Sequence, residues 1–140
     1  MNAVAAEQTY VVEERFDKAL KTVRSALTEQ ELEISGELDV AQLLHGRRGS
    51  AARARMLLVD CPVLMFEALA LDRAAAVFFP LHVLLMAAGS QTHVSLTNPV
   101  GLLDARLPVG TANPMEKLQG RVARALEAAS ERSRTKTGVT

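Results

Sequence analysis

The residue types best suited to chemistry are concentrated in one apolar stretch, residues 56–99, which holds the single cysteine and two of the three histidines. Cys61 precedes Pro62, and proline suits the first position of a helix because its missing amide hydrogen is not needed there. A thiol at a helix N-terminus feels the positive end of the helix dipole, which favours the reactive thiolate. Asp60 opposes this effect, and an isolated cysteine also packs well as a small buried side chain. Both interpretations of Cys61 stay open.

The two histidines of this stretch lie on the predicted strands 81–87 and 91–97 of a hairpin. An even-numbered loop, with Ala87 opposite Ser90, puts His82 and His93 on one face as diagonal neighbours, whereas an odd loop separates them. A close pair could bind a metal or relay protons. With no third ligand nearby in sequence, we predict no metal site. The alternative is a polar, partly exposed sheet face or a dimer contact.

Arginines mark a third candidate, the predicted loop 46–55. Arg47 and Arg48 are candidate contacts for a small molecule or anion, together with Arg53 and Arg55, because guanidinium groups and glycine-rich backbone bind anions well. A solvated loop is the alternative. The sequence contains no glycine-rich phosphate fingerprint, no recognisable nucleophile elbow and no paired-cysteine zinc spacing, so we predict no cofactor.

Length and composition define the setting of these residues. A chain of 140 residues suits one domain, which we place at 1–130, with a polar, disordered tail at 131–140. Sixteen basic residues balance sixteen acidic ones, which argues against binding to nucleic acid. The apolar run 74–88 is shorter than a membrane span and is interrupted by Pro80 and His82. The start lacks a secretory signal and the cysteine has no partner, so we expect a cytoplasmic protein with no membrane contact.

Hydrophobic periodicity predicts the elements that position the candidate residues. Strand periods and turn signals alternate with amphipathic helices, and a hairpin stands beside strand-helix-strand units. We therefore predict an α+β fold, with a mixed, mostly antiparallel sheet and helices packed on one face. The predicted strands are 8–13, 32–35, 55–60, 81–87 and 91–97, and the predicted helices are 16–30, a short segment capped by Asp39, 63–71 and a final helix that begins near Asn113.

Two of these elements are more apolar than a single covered face requires. The helix 63–71 has Glu67 as its one charge, and the strand 81–87 is apolar on both faces except for His82. Exposed apolar area of this kind usually marks an interface. We predict a homodimer formed through a sheet face or through this helix. Strand 55–60 carries four consecutive apolar residues, which predicts burial on both faces and a central position.

Short motifs within residues 58–99 resemble the domain of unknown function family 302. They are the turn Asp60-Cys61-Pro62, the step Phe79-Pro80-Leu81 into a strand, and the end Asn98-Pro99. They correspond to the family's Cys-Asn-Pro-like turn, Leu-Pro-Cys-like step and Asp-Pro-like end, and the resemblance covers most of the chain to about Pro99. It implies a small α+β domain that forms a homodimer.

Two departures from the family pattern bear on chemistry. Cys61 stands directly beside the proline instead of one residue earlier, and Leu81 stands where the family often has a second cysteine. If the family's cysteines mark a chemical site, this chain has lost half of it. We therefore expect a non-enzymatic dimeric module that binds a ligand or partner. The alternative is a thiol-dependent enzyme or redox protein that uses Cys61 with a nearby histidine.

Overall fold

The structure is a computed structural model and describes residues 7–43, 53–71, 73, 79–97 and 112–138. Every predicted element is present, with shifted boundaries. Within the described residues the order is β1 Glu7–Val12, α1 Phe16–Glu29, β2 Glu33–Asp39, α2 Val40–Leu43, β3 Ala54–Asp60, α3 Pro62–Leu71, β4 Leu81–Ala88, β5 Gln91–Thr97 and α4 Ala112–Gly138. The α+β fold class is confirmed.

The five strands form one sheet in the order β1-β5-β4-β3-β2. Every pairing in it is antiparallel, so the sheet is simpler than the mixed arrangement we expected. Strands β2 to β5 follow one another as neighbours, and β1 adds to the far edge beside β5. The middle strand is therefore β4, and β3, which contains the predicted strand 55–60, is an inner strand paired on both sides, with β2 and β4.

The helices cover one face of this sheet, as predicted. Alternate residues of β3, β4 and β5 point toward them and are fully or almost fully buried, including Leu57, Val83 and Val94. The amphipathic stripe of α1 completes the core from the other side, where Phe16 and Leu20 are buried. Each such leucine or valine contributes about 1.5–3 kcal/mol relative to an exposed position.

The opposite face of the sheet carries no helix among the described residues. We call it the open sheet face, and its register positions include Met56, Leu58, Leu84 and Met86. The first three are half-buried and Met86 is exposed, so the predicted burial of strand 55–60 on both faces is wrong. An antiparallel sheet commonly leaves one face to solvent in this way.

A bulge in β2 explains why this strand is longer than the strand 32–35 that its sequence pattern predicts. The pairing register shifts between Ile34 and Gly36, and the strand then continues to Asp39. A Cβ at position 36 would lie 3.2 Å from Leu58 Cδ1, so glycine allows the bulged strand to approach β3 closely. The carboxylate of Asp39 accepts a hydrogen bond from the Gln42 amide at 3.0 Å, which confirms it as the cap of α2.

The last helix, α4, extends to Gly138, through most of the segment that we expected to be a disordered tail. Its buried stripe continues beyond Ala129 with two serines. Ser130 Oγ donates to the Val11 carbonyl at 2.6 Å, and Ser133 Oγ accepts from the Glu13 amide at 2.9 Å. These bonds attach the C-terminal half of α4 to β1 and the turn that follows it.

Candidate functional site

Cys61 lies between β3 and α3, on the side of the sheet that the helices cover. Its side chain is only 3% exposed and belongs to the hydrophobic core. The Cys61 carbonyl accepts the Met65 amide at 2.9 Å, which places Cys61 at the start of the helix as predicted. Arg121 Nη1 of α4 donates to the thiol sulfur at 3.5 Å. The thiol is thus packed between α3 and α4.

Asp60 precedes the cysteine and is also buried. Its Oδ1 has no hydrogen-bond partner among the described residues. Burial raises the pKa of the Asp60 carboxyl, the Cys61 amide acts against that rise, and the charge of Glu33 adds to it. Asp60 and Cys61 are consecutive in an extended segment, so their side chains leave on opposite sides of it. They do not form one site.

His82 and His93 are both exposed, and both lie on the open sheet face. The hairpin loop has two residues, Gly89 and Ser90, so of the two alternatives the even-numbered loop is the one present, and the histidines share a face. The register differs by two residues from the predicted one, however, because His93 pairs with Met86. Met86 and His82 are four positions apart on β4, which is about 13 Å along the strand. The predicted diagonal contact between the histidines is wrong.

The three candidate residues are therefore not brought together. Cys61 lies in the core on the helix side of the sheet, whereas His82 and His93 lie on the open sheet face. A proton relay needs heavy atoms within hydrogen-bond reach or one bridging water. The sheet itself separates the thiol from both imidazoles, so the predicted pairing of Cys61 with a histidine has no geometric basis.

The arginine cluster has two different environments within its described part. Arg47 and Arg48 lie outside the described residues. Arg53 donates to Asp17 Oδ1 at 2.6 Å, and its guanidinium carbon lies 4.7 Å from the centroid of the Phe16 ring. Arg53 is therefore held at the start of α1 by an ion pair and a cation–π contact.

Arg55 joins a separate ion-pair group on the edge strand β2. Arg55 Nη1 and Arg24 Nη2 both contact Glu37 Oε1, at 3.1 and 2.5 Å. The pKa of Glu37 is lowered, chiefly by the hydrogen bond from Arg24; partial burial acts against this, and Arg55 supports it. This group ties α1 to β2 and β3, and it accounts for Arg55 without a ligand.

A cavity of about 700 Å³ lies where the β1–α1 turn, the start of β3 and the β4–β5 turn meet. Its lining includes three carboxylates and three cations, from residues 13–18 and Arg53, with Ala87, Gly89 and Ser90 of the hairpin. A cavity of this volume is in the range that holds small molecules. Arg53, one of the arginines of the predicted anion-binding sequence 46–55, contributes to this lining.

Sequence reasoning does not single out this cavity. In the sequence, nothing distinguishes Glu13 and Glu14 from ordinary polar residues between a strand and a helix. The available signal is the alternation of acids and bases in residues 13–18, where Arg15 occupies the cap position of α1 without a capping hydrogen bond from its side chain. The hairpin that closes the cavity is more than 70 residues away in sequence, so its approach depends on the tertiary fold.

Metal-ligating clusters and membrane-spanning helices are both absent from the described parts of the chain. In these parts, no three side chains of His, Cys, Asp or Glu cluster in a way that could hold a metal ion. Likewise, no helix within them combines the length and the apolar character that crossing a membrane requires.

The fold and the cavity define a two-layer α+β domain, in which an antiparallel sheet carries helices on one face and a mixed-charge cavity opens at one end. The chain belongs to the family described as domain of unknown function DUF302, whose model matches residues 8–131. This confirms the resemblance drawn from the motifs around Cys61 and Pro80.

A solved structure supports the same conclusion about the fold. The chain is similar to the uncharacterized conserved protein DUF302 from Bacillus stearothermophilus, with a TM-score of 0.80 and 13% sequence identity. The similarity covers 90% of this chain and 99% of the other. At this identity it establishes a shared architecture. No curated protein matches the sequence.

Proposed function

We propose that the chain is a non-enzymatic module that self-associates through the exposed side of α3. The single observation that carries this proposal is the exposure of large apolar side chains on that helix. Val63 is 73% exposed and Phe66 75%, and Leu71 is 56% exposed. Leu69 lies at 36%. We call these four residues the α3 patch.

The α3 patch has the size expected of the apolar centre of an interface. Its four side chains expose on the order of a few hundred Å², the area at which apolar patches mark interaction sites. A standard interface buries roughly 800 Å² per partner, of which somewhat more than half is apolar. The α3 patch supplies about half of the area that each partner buries in a standard interface. The surrounding polar residues would supply the rim.

A second copy of the chain is the occupant that the charges favour. The one charged residue within α3, Glu67, lies 3.5 Å from Lys117 of α4 and is therefore already paired. The four patch residues are uncharged, and Glu67, which lies between Val63 and Leu71 on the helix surface, is matched by the opposite charge of Lys117, so this pair adds no net charge to the surface. The whole chain has no net charge at neutral pH, so long-range repulsion does not oppose association.

The open sheet face is the less favourable surface for self-association. Its exposed apolar side chains, Leu38 and Met86, lie on different strands. The polar residues Thr9, His82 and His93 are interleaved with them and are exposed. This mixture is typical of a sheet face that contacts water.

The separation of Cys61 from the histidines supports a non-enzymatic role. A reactive cysteine needs access and a neighbouring base, whereas Cys61 is buried between helices and both described histidines are on the other side of the sheet. The geometry favours a packing role for this side chain.

Light scattering of the purified chain at micromolar concentration tests the proposal. We expect a mass of two chains for the natural sequence. Phe66→Asp places a charge at the centre of the patch and should weaken the dimer about thirtyfold or more, the factor that corresponds to a 2 kcal/mol hot spot. Because Phe66 is exposed, the variant should keep its fold, which circular dichroism would verify.

Met86→Asp is the matched control, since it places the same charge on an exposed apolar residue of the open sheet face. This variant should remain dimeric. A monomer at micromolar concentration for the natural sequence would contradict the proposal. So would a dimer that Met86→Asp disrupts and Phe66→Asp leaves intact, because the interface would then be the sheet.

A further inference from the structure

The cavity at the β1–α1 turn has a balanced set of charges. Glu13, Glu14 and Asp17 stand against Arg15, Lys18 and Arg53 in its lining. A ligand with only negative charge would face three carboxylates, and a ligand with only positive charge would face three cations. Electrostatic complementarity therefore favours a ligand that carries both charges.

Two of the carboxylates are already engaged. Both oxygens of Glu13 accept hydrogen bonds from Gln91 Nε2 at 2.9 Å, and Asp17 pairs with Arg53. By contrast, Arg15 and Lys18 are exposed and form no ion pair with any described residue. The cationic side of the cavity thus keeps free donors.

The start of α1 adds backbone donors to this cationic side. Arg15 is the N-cap residue and its side chain forms no capping hydrogen bond. The first backbone bond into the helix runs from the Ala19 amide to the Arg15 carbonyl, at 2.8 Å, so the amides of residues 16–18 have no acceptor within the helix. Such amides bind a carboxylate well.

Glu14 supplies the independent observation on the anionic side. It lines the same cavity but is only 7% exposed. Thr22 Oγ1 donates to Glu14 Oε1 at 2.6 Å, whereas Oε2 has no hydrogen-bond partner among the described residues. A buried carboxylate oxygen without a donor costs stability, and an ammonium group from a ligand would satisfy it.

We propose that this cavity binds a zwitterion of the amino-acid or short-peptide class. The ligand's carboxylate lies at the start of α1, between Arg15 and Lys18, and its ammonium group lies toward Glu14. No residue of the α3 patch lines the cavity, so this site and the self-association surface are independent. A failure of one proposal does not decide the other.

Titration of the ¹⁵N-labelled chain, followed by amide chemical shifts, tests the inference. The probes are the twenty free L-amino acids and a mixture of dipeptides, each to about 10 mM, a concentration that detects even weak binding. At least one probe should give saturable shifts centred on residues 14–18 and on Gly89. The N-acetylated and C-amidated forms of that probe should bind at least tenfold more weakly, because each lacks one charge.

Variants locate the site, and inorganic phosphate separates it from a simple anion site. Lys18→Gln and Arg15→Gln should each weaken binding about fivefold or more, whereas Lys21→Gln, an exposed lysine on the same helix outside the lining, should not. Saturable binding of phosphate with the same shift pattern would overturn the inference, since no ammonium would then be needed. The absence of saturable shifts with every zwitterionic probe would also overturn it.

Discussion

At the scale of residues, the strongest electrostatic organisation in the described chain is the group around Glu37. Arg24 and Arg55 come from different elements, and both donate to this carboxylate. The sequence alone does not predict which arginines of residues 46–55 form ion pairs, because the partners Asp17 and Glu37 come from α1 and β2. Sequence reasoning predicts the cationic character of the loop but not which charges are neutralised.

Glu37→Gln should destabilise the chain at neutral pH by on the order of 1 kcal/mol, the upper end for partly exposed ion pairs. Because the pKa of Glu37 is lowered in the folded state, its contribution is present above the unfolded pKa and is lost as pH falls through the folded pKa. Urea denaturation at pH 7 and at pH 3 measures this, and the difference between variant and natural chain should be smaller at the lower pH.

Glu131→Gln is the control, since Glu131 is exposed and its carboxylate has no ion pair in the described chain. Its stability should match the natural chain at both pH values. A loss for Glu37→Gln that is equally large at pH 3 would show that the side chain acts through packing and not through its charge.

At the scale of elements, the sequence predicts each helix and strand but misjudges where α4 ends. The apolar stripe of α4 stops at Ala129, and from there the buried positions are Ser130 and Ser133. Serine is ordinarily a surface residue, so the pattern indicates a polar tail. The hydroxyl groups are buried because β1 and the adjacent turn supply backbone partners, which only the folded chain brings near.

Ser133→Ala tests this attachment of α4. It removes the acceptor of the Glu13 amide and should cost about 1 kcal/mol, the typical net contribution of a hydrogen bond. Thr135→Ala is the matched control because Thr135 is exposed and its hydroxyl donates to the Glu131 carbonyl of the same helix. Equal stability of the two variants in urea denaturation would indicate that the end of α4 does not contribute to the fold.

In the β4–β5 hairpin, the sequence predicts less about the distance between the two histidines than about the face they share. An even loop is sufficient to predict that His82 and His93 share a face, because side chains alternate with a period of two. The distance between them depends on which two residues form the turn. Gly89 takes a positive φ of 67°, which glycine adopts readily, and this places the turn at Gly89–Ser90 and moves the histidines apart.

At the scale of the whole molecule, the α+β fold follows from the sequence because periodicity, turn residues and the family motifs agree. The predicted site that combines Cys61 with a histidine is not formed, because the thiol and the imidazoles lie on opposite faces of the sheet. Sequence order does not say which face the helices cover, so it could not predict this separation. Helix α3 was predicted to be too apolar for a helix with a single covered face. In the structure it exposes apolar side chains, among them Val63 and Phe66. These side chains form the surface that we propose for self-association.

Spin-label distance measurement between copies tests that surface most directly. In one sample the label is attached at Ala70→Cys, beside Phe66 on the exposed side of α3. In a separate sample it is attached at Thr9→Cys, on the open sheet face. Both residues are exposed, and a Cys61→Ala background leaves a single labelled site. Self-association through the α3 patch predicts a shorter distance between copies for Ala70 than for Thr9. A shorter distance for Thr9, or no dipolar coupling at either site, would contradict the proposal.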